Sequence, residues 1–283
     1  MVADETELSL ANLFGVREAL LVDTGASANL VAIASLTSPL MGKLRLKPGD
    51  EVITVAAGSR SLVAAIVQNK LVPKFVDLAR PGFNVDVQKL QGALSSRVRA
   101  IALPHLCGNP YDLDAVTMFA AFNNLLLVED CREAAGASFG ARPVGCFGQF
   151  ATASFADGNE AVLMSSALYR SIAESLCERV QPAEIRLEPG IDARALLARM
   201  VDLTEHLILP DTLRTAWPSW RELPIALRKT APFTREELVS KLSDRGVAAR
   251  PFVTETMPLP VTGFLATQGL LASYLEEPRK PAL

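Results

Sequence analysis

The sequence predicts an α/β protein with a doubly wound, mostly parallel sheet and a small C-terminal α/β domain. Short apolar runs of strand length alternate with helical segments between Leu8 and Met164. The run from Leu125 to Val128 is short and wholly apolar, as expected for a parallel strand buried on both faces. Turn signals separate the elements, for example Lys47-Pro48-Gly49-Asp50 before the second strand.

The elements follow these patterns in chain order. Strands are predicted at Ala19–Val22, Glu51–Val55, Val72–Val76, Val98–Leu103, Asn124–Glu129, Phe150–Phe155 and Ala161–Met164. Helices are predicted at Leu8–Phe14, after a cap at Ser27, at Arg60–Gln68, at Asp86–Leu94, after a cap at Asp112 and at Ala167–Val180. Helices that join successive strands make right-handed crossovers, so the strands should lie parallel.

Beyond Met164 the pattern changes, and we predict three regions. Residues 1–180 form a large domain, residues 181–210 a helical linker and residues 211–283 a small C-terminal domain. The later elements are a helix over Asp192–His206, a strand over Trp220–Ala226, a helix over Thr234–Asp244 with a Thr234/Glu237 capping box, a strand after Gly246 and a frayed tail over Glu276–Leu283.

Composition excludes several function classes. The 283 residues are 49% apolar and 21% charged, with a net charge of −3, so we expect a soluble globular protein and no nucleic-acid or anionic-membrane surface. The first residues, MVADETELSL, lack the order of a signal peptide, and no apolar run approaches the roughly 20 residues that span a bilayer. We therefore expect a cytoplasmic protein that neither enters nor binds a membrane.

The four cysteines show no metal-binding spacing. They lack a CxxC pair, and the two histidines, His105 and His206, lie far apart in the sequence. We expect reduced, partly buried thiols and no zinc site.

The fifth predicted strand ends on two carboxylates, Glu129 and Asp130. Ligands of open α/β sheets bind just beyond the carboxyl ends of strands, so Asp130 is a candidate for holding a cationic group. The alternative is that Asp130 only caps the following turn. The next two strands are joined by Ala156–Glu160, which is too short to hold a catalytic loop.

The segment DTGASANL supplies a second candidate. Gly25 permits a sharp turn, and Ser27 can cap the helix that follows, whose N-terminus would attract an anion. The alternative interpretation is a capped helix start without a ligand.

Several ordered motifs resemble one known family. They are VREALLVDTGASANL, LKPGDEVITVAAG, VPKFVDL, RAIALPHLCGNPYDLDAV, LLLVEDCREAAGA and FGQFATASF. Together they resemble the large domain of the DegT/DnrJ/EryC1/StrS family of pyridoxal-phosphate (PLP) sugar aminotransferases. The LTSP and HLCGNPYDLDA segments are most similar to its branch of nucleotide-linked 4-keto-6-deoxyhexose 3-dehydratases.

The resemblance implies a role for individual residues. Gly25, Ala26 and Ser27 match the turn that holds the cofactor phosphate, although Ala26 replaces a residue that usually carries a hydroxyl. Asp130 matches the carboxylate that pairs with the pyridinium nitrogen, and Glu133 matches a polar residue that faces the cofactor. Ser154 matches a serine that touches the phosphate. A buried strand serine bonded to the backbone would explain it equally well.

The sequence also departs from the family pattern. The family places either the Schiff-base lysine or, in the 3-dehydratases, a histidine base in the loop after Ser154, but this chain has no lysine between Lys89 and Lys229. Neither histidine aligns with the lost base. Ser59 stands where an aromatic residue stacks on the cofactor ring, and the segments before Leu8 and between the two domains are shorter than in relatives.

These departures predict a catalytically degenerate, non-catalytic relative that binds no cofactor. It could form a homodimer, or a heterodimer with a full-length paralogue, in deoxysugar or cell-surface polysaccharide biosynthesis. The alternative is an enzyme that binds PLP or its amine form, pyridoxamine phosphate (PMP), non-covalently and acts on a nucleotide-linked keto sugar. A third interpretation is a decaying gene product without a selected role. Arg250 matches a family arginine, with no contact assigned.

Overall fold

A computed structural model describes residues 5–58, 60–156, 160–177 and 186–249. The expectations for Ser59, Arg250 and the C-terminal tail lie outside these residues. The strand predicted after Gly246 falls only partly within them, and residues 247–249 are not in a strand. Within the described residues, every helix is too short or too polar to cross a bilayer.

Seven strands form the main sheet of the described chain. They are β1 (Glu18–Val22), β2 (Glu51–Thr54), β3 (Val72–Phe75), β4 (Val98–Pro104), β5 (Leu126–Asp130), β6 (Phe150–Ser154) and β7 (Glu160–Met164). Their order across the sheet is β1-β7-β6-β5-β4-β2-β3. All run parallel except β7, which lies antiparallel between β1 and β6. The predicted mostly parallel α/β sheet is confirmed.

Seven α-helices accompany the sheet in the described ranges. They are α1 (Glu5–Phe14), α2 (Gly25–Thr37), α3 (Arg60–Gln68), α4 (Leu113–Phe122), α5 (Ala167–Glu174), α6 (Ala193–Ala198) and α7 (Arg235–Ser243). Shorter strand pairs join Leu78–Ala79 to Asn84–Val85, Ser138–Phe139 to Arg142–Pro143 and Ala216–Trp217, and Leu207–Ile208 to Ala226–Leu227.

The sheet is buried on both faces, as a doubly wound fold requires. Neighbouring residues of β7 point to opposite sides: Leu163 joins a cluster with Phe14 of α1, whereas Val162 joins a cluster with Ile33 of α2. This alternation is the two-residue period of a strand, and it lets each apolar strand stabilise two layers of helices at once.

Helix α2 begins directly after β1, at the edge where the parallel strands end. Its N-cap is Thr24, whose Oγ1 accepts a hydrogen bond from the Ser27 backbone N–H at 3.1 Å. The predicted cap at Ser27 is therefore wrong by three residues, because the helix already begins at Gly25. The predicted cap at Asp112 is confirmed, since its side chain accepts from the Ala115 N–H.

Three predicted elements differ in the structure. The helix predicted over Asp86–Leu94 is two 3-10 turns, Val87–Lys89 and Gln91–Ala93, and Gly92 weakens a regular helix there. The strand predicted over Trp220–Ala226 is reduced to Ala226–Leu227, because Pro224 cannot donate a ladder hydrogen bond.

The helix predicted over Asp192–His206 also breaks. Helix α6 ends at Ala198, and a 3-10 helix follows over Val201–His206. The break lets Met200 and Leu203 turn into a small core, where both are at most 6% exposed.

This small core is separate from the two clusters on the sheet. It consists of Met200, Leu203, Leu207, Leu238, Leu242 and Val247. The predicted capping box of α7 is confirmed: Thr234 and Glu237 each bond the other's backbone N–H. Contacts cross the predicted boundary at residue 211, since Ala216 pairs with Phe139 beside the large sheet.

Candidate active site

The candidate residues meet at the edge where the parallel strands end. Asp130 is the last residue of β5 and Ser154 the last of β6. Because β7 runs in the opposite direction, its first residue, Glu160, lies at this edge and pairs with Ser154. The N-terminus of α2 at Gly25 reaches the same place. The structure thus brings together three of the residues predicted from the sequence.

Asp130 is 3% exposed and fully engaged by side chains of the protein. Asn29 Nδ2 donates to Oδ2 at 3.2 Å, and the single proton of the Thr152 hydroxyl is shared between Asn29 Oδ1 at 3.1 Å and Asp130 Oδ1 at 3.3 Å. Arg132 approaches both oxygens, with Nε donating to Oδ1 at 3.0 Å and Nη2 to Oδ2 at 3.2 Å. A two-point guanidinium–carboxylate contact of this kind is among the stronger hydrogen-bonded ion pairs.

Asp130 also caps the turn that follows β5, because its Oδ1 accepts from the Arg132 backbone N–H at 3.2 Å. Asp130 therefore does cap this turn, but it does not only cap it, because it also pairs with the Arg132 guanidinium. The cap does not compete with the ion pair, since a carboxylate oxygen has more than one lone pair.

Arg132 lies between Asp130 and the start of α2. A Cβ at position 25 would lie 2.3 Å from Arg132 Nη1, so a larger residue there would require the guanidinium to move. Burial lowers the pKa of Arg132, but the charge and hydrogen bonds of Asp130 and the nearby Glu160 raise it overall, and the side chain stays protonated. The sequence analysis missed Arg132; its position two residues after a strand-end acid was the available signal.

Ser154 bonds a side chain rather than the backbone. Its Oγ lies 2.7 and 2.6 Å from the two oxygens of Glu160, so the backbone interpretation is wrong. Glu160 Oε1 also lies 3.1 Å from where a Cβ on Gly25 would stand. Partial burial raises the pKa of the Glu160 carboxyl, although the Ser154 hydrogen bond and the charge of Arg132 oppose this. Glu160 was missed because it was assigned to the joint between two strands.

The other residues of the predicted phosphate turn contribute less. The Ser27 hydroxyl lies 2.9 Å from the Thr24 hydroxyl, and the Ser27 N–H already donates to Thr24. Ala26 is exposed. This turn acts as a helix cap in the structure.

Glu133 faces the loop after β4. Its Oε2 accepts from the Cys107 N–H at 2.8 Å. The residue as a whole is exposed, but protein atoms crowd its carboxylate. This crowding, with the nearby charges of Asp130 and Glu222, raises the pKa of Glu133. The side chain therefore connects two loops at the edge of the site.

A buried polar cluster lies next to Asp130. The ligand-type atoms of His105, Glu129 and Cys131 lie within 4.8 Å of one another. His105 Nε2 is 3.2 Å from Glu129 Oε2, and its ring stacks on Tyr111. Burial raises the pKa of the Cys131 thiol well above its ordinary value.

The oxygens of Glu129 are already in use. They accept from the backbone N–H groups of Gly145 at 2.9 Å, Phe147 at 2.8 Å and Gly148 at 2.8 Å. A carboxylate whose two oxygens accept three backbone N–H groups is typical of a structural hydrogen-bond cluster.

Comparison with known proteins identifies the family. The chain matches the profile of the DegT/DnrJ/EryC1/StrS aminotransferase family over residues 2–161. It belongs to this family. The resemblance drawn from the sequence motifs is thereby confirmed, and the family comprises PLP-dependent sugar aminotransferases and 3-dehydratases of deoxysugar and lipopolysaccharide biosynthesis.

Two relatives show the extent of the similarity. The chain is 41% identical over 193 residues to dTDP-4-dehydro-2,6-dideoxy-D-glucose 3-dehydratase of Saccharopolyspora spinosa, covering 66% of this chain and 41% of that protein. It is 30% identical over 310 residues to the lipopolysaccharide biosynthesis protein RfbH of Salmonella typhimurium, covering 87% of this chain and 71% of that protein. The chain therefore spans less than half of the first relative.

A solved structure shares the fold. E. coli GDP-4-keto-6-deoxy-D-mannose-3-dehydratase with bound hydrated PLP superposes with a TM-score of 0.75 at 24% identity, covering 92% of this chain and 79% of that one.

Proposed function

We propose that this chain is a non-catalytic member of the family that acts as a partner subunit in deoxysugar or cell-surface polysaccharide biosynthesis. The observation that carries the proposal is the state of the site: Asp130 is bonded to Arg132, and Ser154 is bonded to Glu160. The residues matched to the two ends of the cofactor hold other side chains of the same protein.

The connection between β6 and β7 supports the proposal. Ser154 and Glu160 are paired across the two strands, and only FADGN separates them. This segment contains neither lysine nor histidine. Covalent aldimine chemistry needs an amine, and proton abstraction needs a base within hydrogen-bond reach. Arg132 supplies neither, because a guanidinium does not lose its proton in proteins.

The alignment with the Salmonella relative also supports it. That alignment runs over 310 positions, more than the 283 residues of this chain. The relative therefore has internal residues without a counterpart here.

The residues present do not fit a pyridoxal phosphate in this arrangement. Such a cofactor supplies an electron sink for a substrate carbanion when it is bound. A phosphate held by Ser154 would face the Glu160 carboxylate that this serine already contacts, and two neighbouring anions repel each other. The ring nitrogen of the cofactor would have to displace Arg132 from Asp130. We therefore propose that the chain binds no cofactor by itself.

The partner role can be tested directly. The chain is co-expressed with a full-length family member from the same cell, and its mass is measured by light scattering after size-exclusion chromatography. We expect a heterodimer or a homodimer at micromolar concentration. A monomer both when the chain is expressed alone and when it is co-expressed would count against the partner role, and poor soluble expression of every preparation would favour a decaying gene product.

The alternative function is a PMP- or PLP-binding enzyme without a Schiff-base lysine that acts on a nucleotide-linked keto sugar. The convergence of Gly25, Asp130 and Ser154 at one edge favours it. The purified chain is titrated with PMP and with PLP while the cofactor absorbance is followed through gel filtration. A retained chromophore that Asp130→Asn removes would establish this alternative; no retained chromophore would eliminate it.

A further inference from the structure

We infer that Arg132 and Glu160 are built-in substitutes for the two ends of the family cofactor, with the guanidinium in place of the ring cation and the Glu160 carboxylate in place of the phosphate. This inference rests on the proposed function. It names the two residues whose side chains would occupy the place of the cofactor.

The first part of the inference is that the Arg132 guanidinium replaces the pyridinium cation of the cofactor. A pyridinium is a flat cation that donates one hydrogen bond to a carboxylate, and a guanidinium is a flat cation that donates two. Arg132 makes both contacts to Asp130, which is buried and holds further donors from Asn29 and Thr152. A buried carboxylate is stabilised by such a cation, so Asp130 keeps its family position without the cofactor.

The second part of the inference is that the Glu160 carboxylate replaces the phosphate of the cofactor. A helix N-terminus and a neighbouring hydroxyl make a favourable place for a negative group. At α2 that group is the Glu160 carboxylate, which accepts from Ser154 and approaches Gly25 to within 3.1 Å of the Cβ position. Arg132 Cδ stands at the same distance of 3.1 Å from that position. The two side chains thus share the space in front of the helix.

The strand register explains how Glu160 arrives there. Antiparallel pairing of β6 with β7 sets Ser154 directly opposite Glu160, and Thr152 opposite Val162. A short connection fixes this register, and directly opposite residues have neighbouring side chains. The substitute carboxylate is therefore a consequence of the short hairpin and needs no further rearrangement.

The test is a gain of binding. Variants Arg132→Ala, Glu160→Gln and the double variant are titrated with PMP and, separately, with inorganic phosphate by isothermal calorimetry. Removing one unit charge from the phosphate position should raise the affinity of Glu160→Gln for inorganic phosphate by at least about tenfold. The double variant should gain more for PMP than either single variant. Adding Asp130→Asn should remove most of the gain for PMP and leave the gain for inorganic phosphate.

The matched control is the exposed pair Arg235 and Glu236, whose side chains are 58% and 74% exposed. The double variant Arg235→Ala/Glu236→Gln changes the same two charges and should leave both affinities at the level of the unmodified chain. Circular dichroism and thermal melting are recorded for every variant.

The outcomes distinguish a failure of this inference from a failure of the proposed function. If neither the unmodified chain nor the folded double variant binds PMP or phosphate, this inference fails while the proposed function stands. If the unmodified chain binds PMP as tightly as the double variant, both fail. Should the double variant not fold, Glu160→Gln with inorganic phosphate decides alone, and no gain in affinity would overturn the inference.

Discussion

At the end of β5 two adjacent carboxylates are held by different kinds of donor. Glu129 receives backbone N–H groups from the turn before β6, whereas Asp130 receives the guanidinium of Arg132. Both are buried, but Asp130 contacts the permanent charge of a guanidinium, whereas Glu129 contacts backbone N–H groups and the His105 ring. This difference assigns a structural role to Glu129. Asp130 is then the candidate carboxylate for ligand binding.

Glu129→Gln should lower the free energy of unfolding by about 2–4 kcal/mol. Both oxygens of Glu129 face backbone donors, so either orientation of the glutamine amide sets its NH2 group against an N–H. Urea denaturation followed by circular dichroism measures the change. Glu205→Gln, at a carboxylate that is 77% exposed, is the matched control and should change stability by less than about 0.5 kcal/mol. Equal effects at both sites would contradict the structural role.

Ionisation of Glu160 lowers the free energy of unfolding, so its effect on stability depends on pH. Partial burial raises the pKa of its carboxyl above the ordinary value of 4.5. The folded protein therefore holds this proton more tightly than the unfolded chain does. As a result, the Glu160 contribution to the free energy of unfolding falls as pH rises from 4.5 through the folded-state pKa.

Glu160→Gln cannot lose a proton, so it should gain stability relative to the unmodified chain between about pH 4 and about pH 7. Urea denaturation curves of the two proteins at both pH values measure the difference. A difference that is constant, or that shrinks toward neutral pH, would show that the carboxylate is not penalised in the folded state.

At the scale of elements, one arginine ties three of them together. Arg170 of α5 is 7% exposed and donates to Glu7 of α1 at 2.7 Å and to the carbonyl of Ala19 in β1 at 2.8 Å. It also pairs with Glu174 one turn further along α5. The contacts fix α1 and α5 against β1, the strand that directly precedes α2.

Arg170→Met should lower the free energy of unfolding by about 3 kcal/mol, because it leaves the buried Glu7 carboxylate without its cation. Adding Glu7→Gln should recover part of that loss. Chemical denaturation of the single and double variants measures both effects. Arg235→Met, at the exposed pair with Glu236, is the control; a loss there as large as at Arg170 would refute the anchoring role.

The sequence predicted the long buried strands well and the side-chain partners of the site poorly. Apolar runs bounded by turn residues place β2, β4 and β6 within one residue of their observed ends, because burial on both faces leaves a strong local signal. Local patterns carry no information on which side chain crosses to a neighbouring strand. For this reason Asp130 and Ser154 were found, whereas Arg132 and Glu160 were not.

At the scale of the whole molecule, the chain builds two kinds of core. The sheet carries a cluster on each face, and the small C-terminal core contains Leu203, Leu238 and Leu242 from separate parts of the chain. The alternation of apolar strands and helices predicted the sheet. The small core was anticipated less well, because its two halves lie on either side of a segment whose Ala216 pairs with Phe139 in a separate small sheet.

If the small core is a separate cooperative unit, damage to it should stay local. Leu242 is 2% exposed, and Leu242→Ala should cost that unit about 2–5 kcal/mol. Hydrogen exchange followed by mass spectrometry should then show faster exchange in α7 and in residues 200–208, with unchanged protection in β4 and β5. Leu127→Ala, in a large-sheet cluster where Leu127 is 3% exposed, is the reciprocal variant and should accelerate exchange across the sheet. Uniform acceleration by both variants would mean that the hydrogen bonds crossing residue 211 couple the two cores into one unit.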